Sequence, residues 1–92
     1  MDIKVDFSFS SYGSEEPRYK YLRIRSTELY LKEVIKFDGF VFLKDILKSL
    51  GFPINSCKEY GVPKTRLSKS YTSLSIEVDN YDNPQIITIY GE

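Results

Sequence analysis

The sequence predicts a single α+β domain over residues 1–92, with a small antiparallel sheet of about five strands and one main amphipathic helix at residues 43–50. Apolar and polar residues alternate at both ends of the chain, which is typical of strands that are buried on one face. From Leu43 onward the apolar period changes to 3.6 residues, which is typical of a helix. A chain of 92 residues is also too short to divide its core between two domains.

The first third of the chain predicts two strands. Residues 3–9 alternate without error, with Ile3, Val5, Phe7 and Phe9 on one face. Residues 10–17 combine turn-forming residues with two adjacent glutamates, and we expect an exposed loop there. A second strand is predicted at residues 19–25. Its apolar face carries Leu22 and Ile24, and its other face carries Tyr19, Tyr21, Arg23 and Arg25.

Residues 27–37 are ambiguous between helix and strand. Leu31, Val34 and Ile35 match helical spacing, whereas Leu29, Leu31, Ile35 and Phe37 match strand spacing. The adjacent β-branched residues Val34 and Ile35, followed by Asp38 and Gly39, favour a strand. The pair Asp-Gly is preferred in type I′ turns, so we predict a hairpin that joins residues 29–37 to residues 40–42.

Two helices are predicted in the middle of the chain. Leu43, Ile46, Leu47 and Leu50 form the apolar stripe of the first, and Gly51 and Pro53 end it. Ser56 and Glu59 have capping-box spacing, which predicts a short helix at about residues 56–60, before Gly61 and Pro63. Residues 64–70 are predicted to form a basic loop.

The last third predicts a hairpin. Leu74, Ile76 and Val78 alternate with polar residues, residues 79–84 are rich in turn formers, and residues 85–90 are rich in β-branched side chains.

The composition argues against an enzyme and against a metal or cofactor site. The chain has no His, which removes the usual general bases and nucleophile pairs and the commonest metal ligand. Its single cysteine, Cys57, is interpreted as a small buried side chain rather than a nucleophile. The Asp and Asn residues at 79–83 lack the Gly and the final Glu of a calcium loop and are interpreted as a turn.

The sequence also predicts a cytoplasmic protein without a membrane segment. No apolar run approaches the ~20 residues that a bilayer span needs, and the N-terminus lacks an apolar signal segment. A single cysteine excludes an internal disulfide and favours a reducing compartment.

The most suggestive binding residues are aromatic and cationic. Tyr and Arg are enriched at protein interfaces, and the same pair on a sheet can also stack on single-stranded nucleic acid. An ordinary solvated sheet face is the competing interpretation. The zero net charge argues against general nucleic-acid affinity, so we predict a protein partner. The predicted contact set joins the strand face to the basic loop: Tyr19, Tyr21, Arg23, Arg25, Lys64, Arg66 and Lys69.

Nucleic-acid binding is the alternative prediction. Two helices over residues 43–60, a short connection with Gly51, and the basic loop at 64–69 have the sequence pattern of a helix-turn-helix. The second helix has room for only about one turn, however, and a recognition helix must present several side chains to the major groove.

Residues 38–53, which run from the Asp-Gly pair through the Leu-rich helix to Gly51 and Pro53, resemble a stretch in small uncharacterised proteins of phages and integrative elements. The resemblance covers less than a fifth of the chain and implies an origin, not an activity or a site. It leads us to predict a mobile-element inhibitor or adaptor that binds a host or phage protein. The identity of that partner and the oligomeric state of the chain remain open at this point.

Overall fold

The computed structural model describes residues 2–92 and confirms the α+β class. Its strands and α-helices are, in chain order, β1 (Asp2–Asp6), α1 (Pro17–Asp38), β2 (Val41–Phe42), α2 (Leu43–Ser49), β3 (Ser70–Tyr71), β4 (Leu74–Val78) and β5 (Ile86–Gly91). Three 3-10 helices, at Phe7–Phe9, Ile54–Tyr60 and Lys64–Arg66, complete the regular structure.

The main sheet is antiparallel and has the strand order β1-β5-β4. Its register places Ile3 of β1 and Ile76 of β4 on either side of Ile89 of β5, and all three side chains are buried. The C-terminal hairpin is therefore confirmed. The first strand is confirmed only as far as Asp6, whose carboxylate accepts a hydrogen bond from the Ser8 amide and begins a 3-10 helix there.

The five strands form two sheets rather than the single sheet that the sequence predicts. β2 pairs with β3, so that Val41 lies opposite Tyr71 and Phe42 opposite Ser70. The predicted strand at residues 40–42 thus exists in part, but its partner comes from the far side of α2.

Residues 17–38 form one helix of 22 residues, and the strands predicted at 19–25 and 29–37 are wrong. Pro17 occupies the first helical turn, where its missing amide costs nothing. Gly39 ends the helix with a φ of 87°, and its amide donates to the Ile35 carbonyl. A type I′ turn needs positive φ at both central residues, and no residue other than glycine has one among residues 2–92. The Asp-Gly pair is therefore a helix end and not a hairpin turn.

The helix forms because one of its faces packs on the core. Ile24 and Leu31 are 0% and 1% exposed, and they join the same apolar cluster as the inner residues of β1, β4 and β5. Tertiary burial of this kind outweighs the modest helix propensity of the Tyr, Ile, Thr and Val residues in the segment.

The helix predicted at residues 43–50 is confirmed as α2, with Leu43, Ile46 and Leu47 fully buried. Its end is a Schellman motif, in which the Phe52 amide donates to the Leu47 carbonyl and the Gly51 amide to the Lys48 carbonyl. It is not the main helix, however, since α1 is three times as long.

The segment after α2 differs from the predicted short α-helix. Ile54–Tyr60 is a 3-10 helix that is interrupted at Ser56, where φ is −114° and ψ is 30°. It begins after Pro53, and Ser56 lies inside it rather than before it, so Ser56 and Glu59 do not cap its start as the sequence predicts. Cys57 and Tyr60 face the core from this segment.

Candidate functional site

The four aromatic and cationic residues predicted to share a strand face do not share a face. Alternate residues of an α-helix point about 200° apart, so Tyr19, Tyr21, Arg23 and Arg25 are divided between two sides of α1. The helical neighbours are Tyr19 with Arg23 and Tyr21 with Arg25, each four residues apart.

Arg25 is engaged with the edge of the main sheet. Its Nη1 donates to the Ile76 carbonyl at 2.6 Å and to Glu28 Oε1 at 2.7 Å, while its Nε donates to the Tyr21 hydroxyl at 3.2 Å. The hydrogen bond with Tyr21 and the pairing with Glu28 raise the pKa of the guanidinium. The Tyr21 ring in turn packs edge-on against Tyr81, with centroids 5.3 Å apart. Tyr21 and Arg25 therefore hold the fold together.

Glu28 completes this arrangement. Its Oε2 accepts from the Ile76 amide at 2.7 Å, so the Arg25–Glu28 pair satisfies both the N–H and the C=O of one residue on the outer edge of β4. An edge strand with unpaired backbone groups is a template for pairing with other chains, and covering it removes that hazard. The side chains of Arg25 and Glu28 thus occupy the place of a further strand.

Arg23 and Tyr19 are neighbours on α1 but have different partners. Arg23 forms a two-point ion pair with Glu15, at 2.7 and 3.2 Å, and its guanidinium lies 3.9 Å from the centroid of the Tyr12 ring. The hydrogen bond from Arg23 lowers the pKa of Glu15. Arg23 therefore ties the loop before α1 to the helix, whereas Tyr19 remains 47% exposed beside Arg18.

The predicted basic loop lies on a different element from these residues. Lys64 and Lys69 are exposed, Arg66 is half-buried, and Lys64–Arg66 form a 3-10 helix. The amides of Leu43 and Lys44 donate to the carbonyls of Lys69 and Leu67, which fixes the loop beside the first turn of α2. The predicted contact set is thus divided between α1 and the surroundings of α2.

The helix-turn-helix pattern is not realised as two α-helices. α2 has seven residues, and the 3-10 helix after it is broken at Ser56. Cys57 of that segment is fully buried, which agrees with its interpretation as a core side chain.

The side of α1 that faces away from the core carries the largest concentration of exposed apolar residues. Five large side chains there are between 47% and 85% exposed, and we call the surface they form with two exposed polar residues the outer face of α1. The apolar members are Tyr19, Leu22, Leu29, Tyr30 and Phe37, and the polar members are Ser26 and Glu33. Successive members stand one, three or four residues apart, which is the spacing of a continuous helical stripe.

The spacing of apolar residues in the sequence does contain a signal for this face. If residues 17–38 are taken as one helix, the seven positions fall on one side and Ile24, Glu28, Leu31 and Ile35 on the other. An interpretation of this segment as two strands mixes residues of both stripes, so neither stripe is visible in it.

Other parts of the described surface give less support for a binding site. A surface cavity of about 610 Å³ lies open between residues 9–12 and 48–55, and its Ser10 hydroxyl already donates to the Leu50 carbonyl. Within residues 2–92, the His, Cys, Asp and Glu side chains form no group of three that is placed to hold a metal ion. None of the helices in that range has the length and apolar character required to cross a membrane.

Comparisons with protein-family models, curated proteins and solved structures found no match to this chain. The function is therefore inferred from the surface of the molecule.

Proposed function

We propose that the chain is a protein-binding module and that the outer face of α1 is its docking surface. The observation that carries this proposal is the exposure of five large apolar side chains on one side of a single helix. They expose on the order of 600 Å² together, given that a whole aromatic side chain has about 150–250 Å². That matches the upper end of the ~300–600 Å² expected for the largest apolar patch of a monomer, and such patches are often functional.

The geometry of the face suits recognition by a groove or by another helix. Leu22 and Leu29 are seven residues apart, with Ser26 between them, which is the anchor spacing of helices that bind in apolar grooves. Tyr30 and Phe37 supply large rigid rings at little cost in side-chain entropy. Because α1 is already a folded helix held by its inner face, binding does not require the segment to order.

The chemistry we propose is binding without covalent catalysis, in a reducing compartment such as the cytoplasm. The chain has no His, and its one cysteine is buried and unpaired. Together with the resemblance of residues 38–53 to phage and integrative-element proteins, this supports an inhibitor or adaptor that acts on a host or phage protein.

The proposal is tested by affinity capture of binding partners from a host lysate. The wild type is compared with a double variant of the outer face and with a matched control variant. In Leu22→Lys/Leu29→Lys, two exposed leucines of the outer face become charged, and the buried residues of α1 are unchanged. In the control Asn55→Lys/Gln85→Lys, the same two charges are added at exposed positions outside α1 and outside the basic loop. Circular dichroism and urea unfolding should show that both variants fold as the wild type does.

We expect the wild type and the control to bind the same polypeptide after nuclease treatment, and the Leu22→Lys/Leu29→Lys variant to lose it. A polypeptide bound equally by all three proteins would contradict the use of this face. Capture that nuclease abolishes, and that Lys64→Ala/Arg66→Ala also abolishes, would replace the proposal with nucleic-acid binding through the basic loop.

A further inference from the structure

The outer face of α1 is complementary to itself when two copies are placed antiparallel. We consider a two-fold axis at the level of residue 28. It places each residue of α1 opposite a residue of the second copy, and the two residue numbers add up to about 56. Tyr19 then lies opposite Phe37 of the second copy, and Ser26 lies opposite Tyr30 of the second copy. Large rings thus meet at both ends of the contact, and near its centre a small side chain faces a large one, which lets the helices approach closely.

The charged residues on and beside the outer face also favour the antiparallel arrangement. Glu33 is the only ionised residue within the outer face, and Arg23 lies at its margin. In the antiparallel pair, Glu33 of each copy lies opposite Arg23 of the other. Glu15 uses Nε and Nη2 of Arg23, which leaves Nη1 directed away from that pair. A parallel pair would instead place Glu33 against Glu33 and Arg23 against Arg23, and like charges in close contact are unfavourable.

The outer face is also large enough for an interface between two copies. A helix of 22 residues is about 33 Å long at 1.5 Å per residue, and the longest dimension of the molecule is 33 Å. The outer face runs from Tyr19 to Phe37 and covers about 27 Å of that helix. Complete mutual burial of the five apolar side chains on both copies would remove at most about 1,200 Å² from water, against the ~1,000 Å² that a biological interface should reach.

We propose that the outer face of α1 binds the same face of a second copy of this chain, with the two helices antiparallel around a two-fold axis near residue 28. This inference rests on the proposed use of that face as a protein-docking surface. Leu29 lies closest to the axis and meets its own counterpart, while Leu22 packs between Tyr30 and Phe37 of the second copy. A host or phage target that uses the same face must displace the second copy, so the pairing keeps the apolar surface covered until a target is bound.

Sedimentation of the purified chain from micromolar to millimolar concentration tests the pairing. The wild type and Asn55→Lys/Gln85→Lys should reach twice the monomer mass of 10.7 kDa, and Leu22→Lys/Leu29→Lys should remain monomeric over the same range. A wild type that stays monomeric throughout would overturn the inference.

Charge exchange tests the contacts. In Glu33→Arg alone, the new guanidinium faces Arg23 of the second copy, and in Arg23→Glu alone, the new carboxylate faces Glu33. Each single variant should therefore dimerise about tenfold or more weakly than the wild type. An equimolar mixture of the two should form a mixed dimer in which both pairs are again attractive. Failure of the mixture to associate better than either variant would exclude these contacts.

Cross-linking tests the orientation. Tyr19 and Phe37 are 18 residues apart, or about 27 Å along the helix, so an antiparallel pair brings each close only to the other. Mixing Tyr19→Cys with Phe37→Cys should give a disulfide between the two variants, and neither variant alone should cross-link to itself. Self-linking of Tyr19→Cys would contradict the antiparallel arrangement. A monomeric wild type that still captures a different polypeptide through Leu22 and Leu29 would refute the pairing and leave the proposed function standing, whereas a monomer that captures none would refute both.

Discussion

On the inner face of α1, Ile24 and Leu31 are 0% and 1% exposed, whereas Leu22 and Leu29, each two residues away, are 60% and 65% exposed. Both faces carry apolar side chains along the whole helix, and both contain one glutamate. The inner glutamate, Glu28, bonds to Arg25 and to the backbone of β4, and the outer one, Glu33, is exposed. The inner face is thus completed by the chain itself. The outer face has the same residue types without a cover, which is why we assign binding to it.

The largest expected difference between the faces is in the free energy of unfolding. Leu31→Ala removes a fully buried side chain and leaves a cavity, which should lower stability by about 2–5 kcal/mol. Leu29→Ala should change it by no more than about 0.5 kcal/mol, since an exposed residue loses little burial and Ala favours helix. Urea unfolding at a concentration that keeps the chain monomeric measures both. Equal losses in the two variants would show that the outer face is covered within a single chain.

The two glutamates provide a second comparison. Glu28→Ala leaves the buried Ile76 amide without its acceptor and Arg25 without its carboxylate, and we expect a loss of about 2–3 kcal/mol. Glu33→Ala, on the outer face, is the matched control and, at a concentration that keeps the chain monomeric, should stay within about 0.5 kcal/mol of the wild type. If Glu28→Ala were as stable as Glu33→Ala, the Arg25–Glu28 pair would not be what closes the edge of β4. Hydrogen exchange at the Ile76 amide reports the same bond directly, and it should become faster only in Glu28→Ala.

The same two faces explain which parts of the fold the sequence predicts. The C-terminal hairpin was predictable because Leu74, Ile76 and Val78 alternate strictly with polar residues, and α2 because its apolar stripe is followed by Gly51 and Pro53. In α1, Glu28 interrupts the inner stripe, and its partner on β4 is 48 residues away in the chain. Leu22, Leu29 and Phe37 occupy outer positions that are normally polar. A helix that is apolar on two sides has no single apolar stripe. The local alternation of apolar and polar residues therefore resembles a strand more than it resembles a helix.

The candidate site was predictable only in part for the same reason. Aromatic residues of the segment do reach the surface, but among the four residues first assigned to a strand face only Tyr19 belongs to the outer face of α1. The roles of Tyr21 and Arg25 depend on Tyr81 and Ile76, which the fold brings close from distant parts of the chain. Contacts of this range cannot be inferred from residue types within one segment.

The smallest expected effect concerns the ion pair at the margin of the outer face. The hydrogen bond from Arg23 lowers the pKa of Glu15 in the folded chain. A carboxylate whose pKa is lowered by folding adds stability above its unfolded pKa and loses that stability as the pH falls through its folded pKa. The urea midpoint of the wild type should therefore exceed that of Glu15→Gln slightly at pH 7, and the gap should close as the pH falls below the ordinary glutamate value of 4.5.

Asp79 requires a separate control, because backbone hydrogen bonds from Gln85 and Ile86 lower its pKa as well and its loss falls in the same acid range. Asp79→Asn should remove the part of the acid dependence of stability that is due to Asp79. It should leave the difference in urea midpoint between the wild-type Glu15 and Glu15→Gln unchanged, since the two sites share no partner. A gap of constant size from pH 7 to pH 3 would mean that Glu15 and Arg23 do not pair in solution. Arg23 would then be free of Glu15, and its full guanidinium would be available at the margin of the outer face.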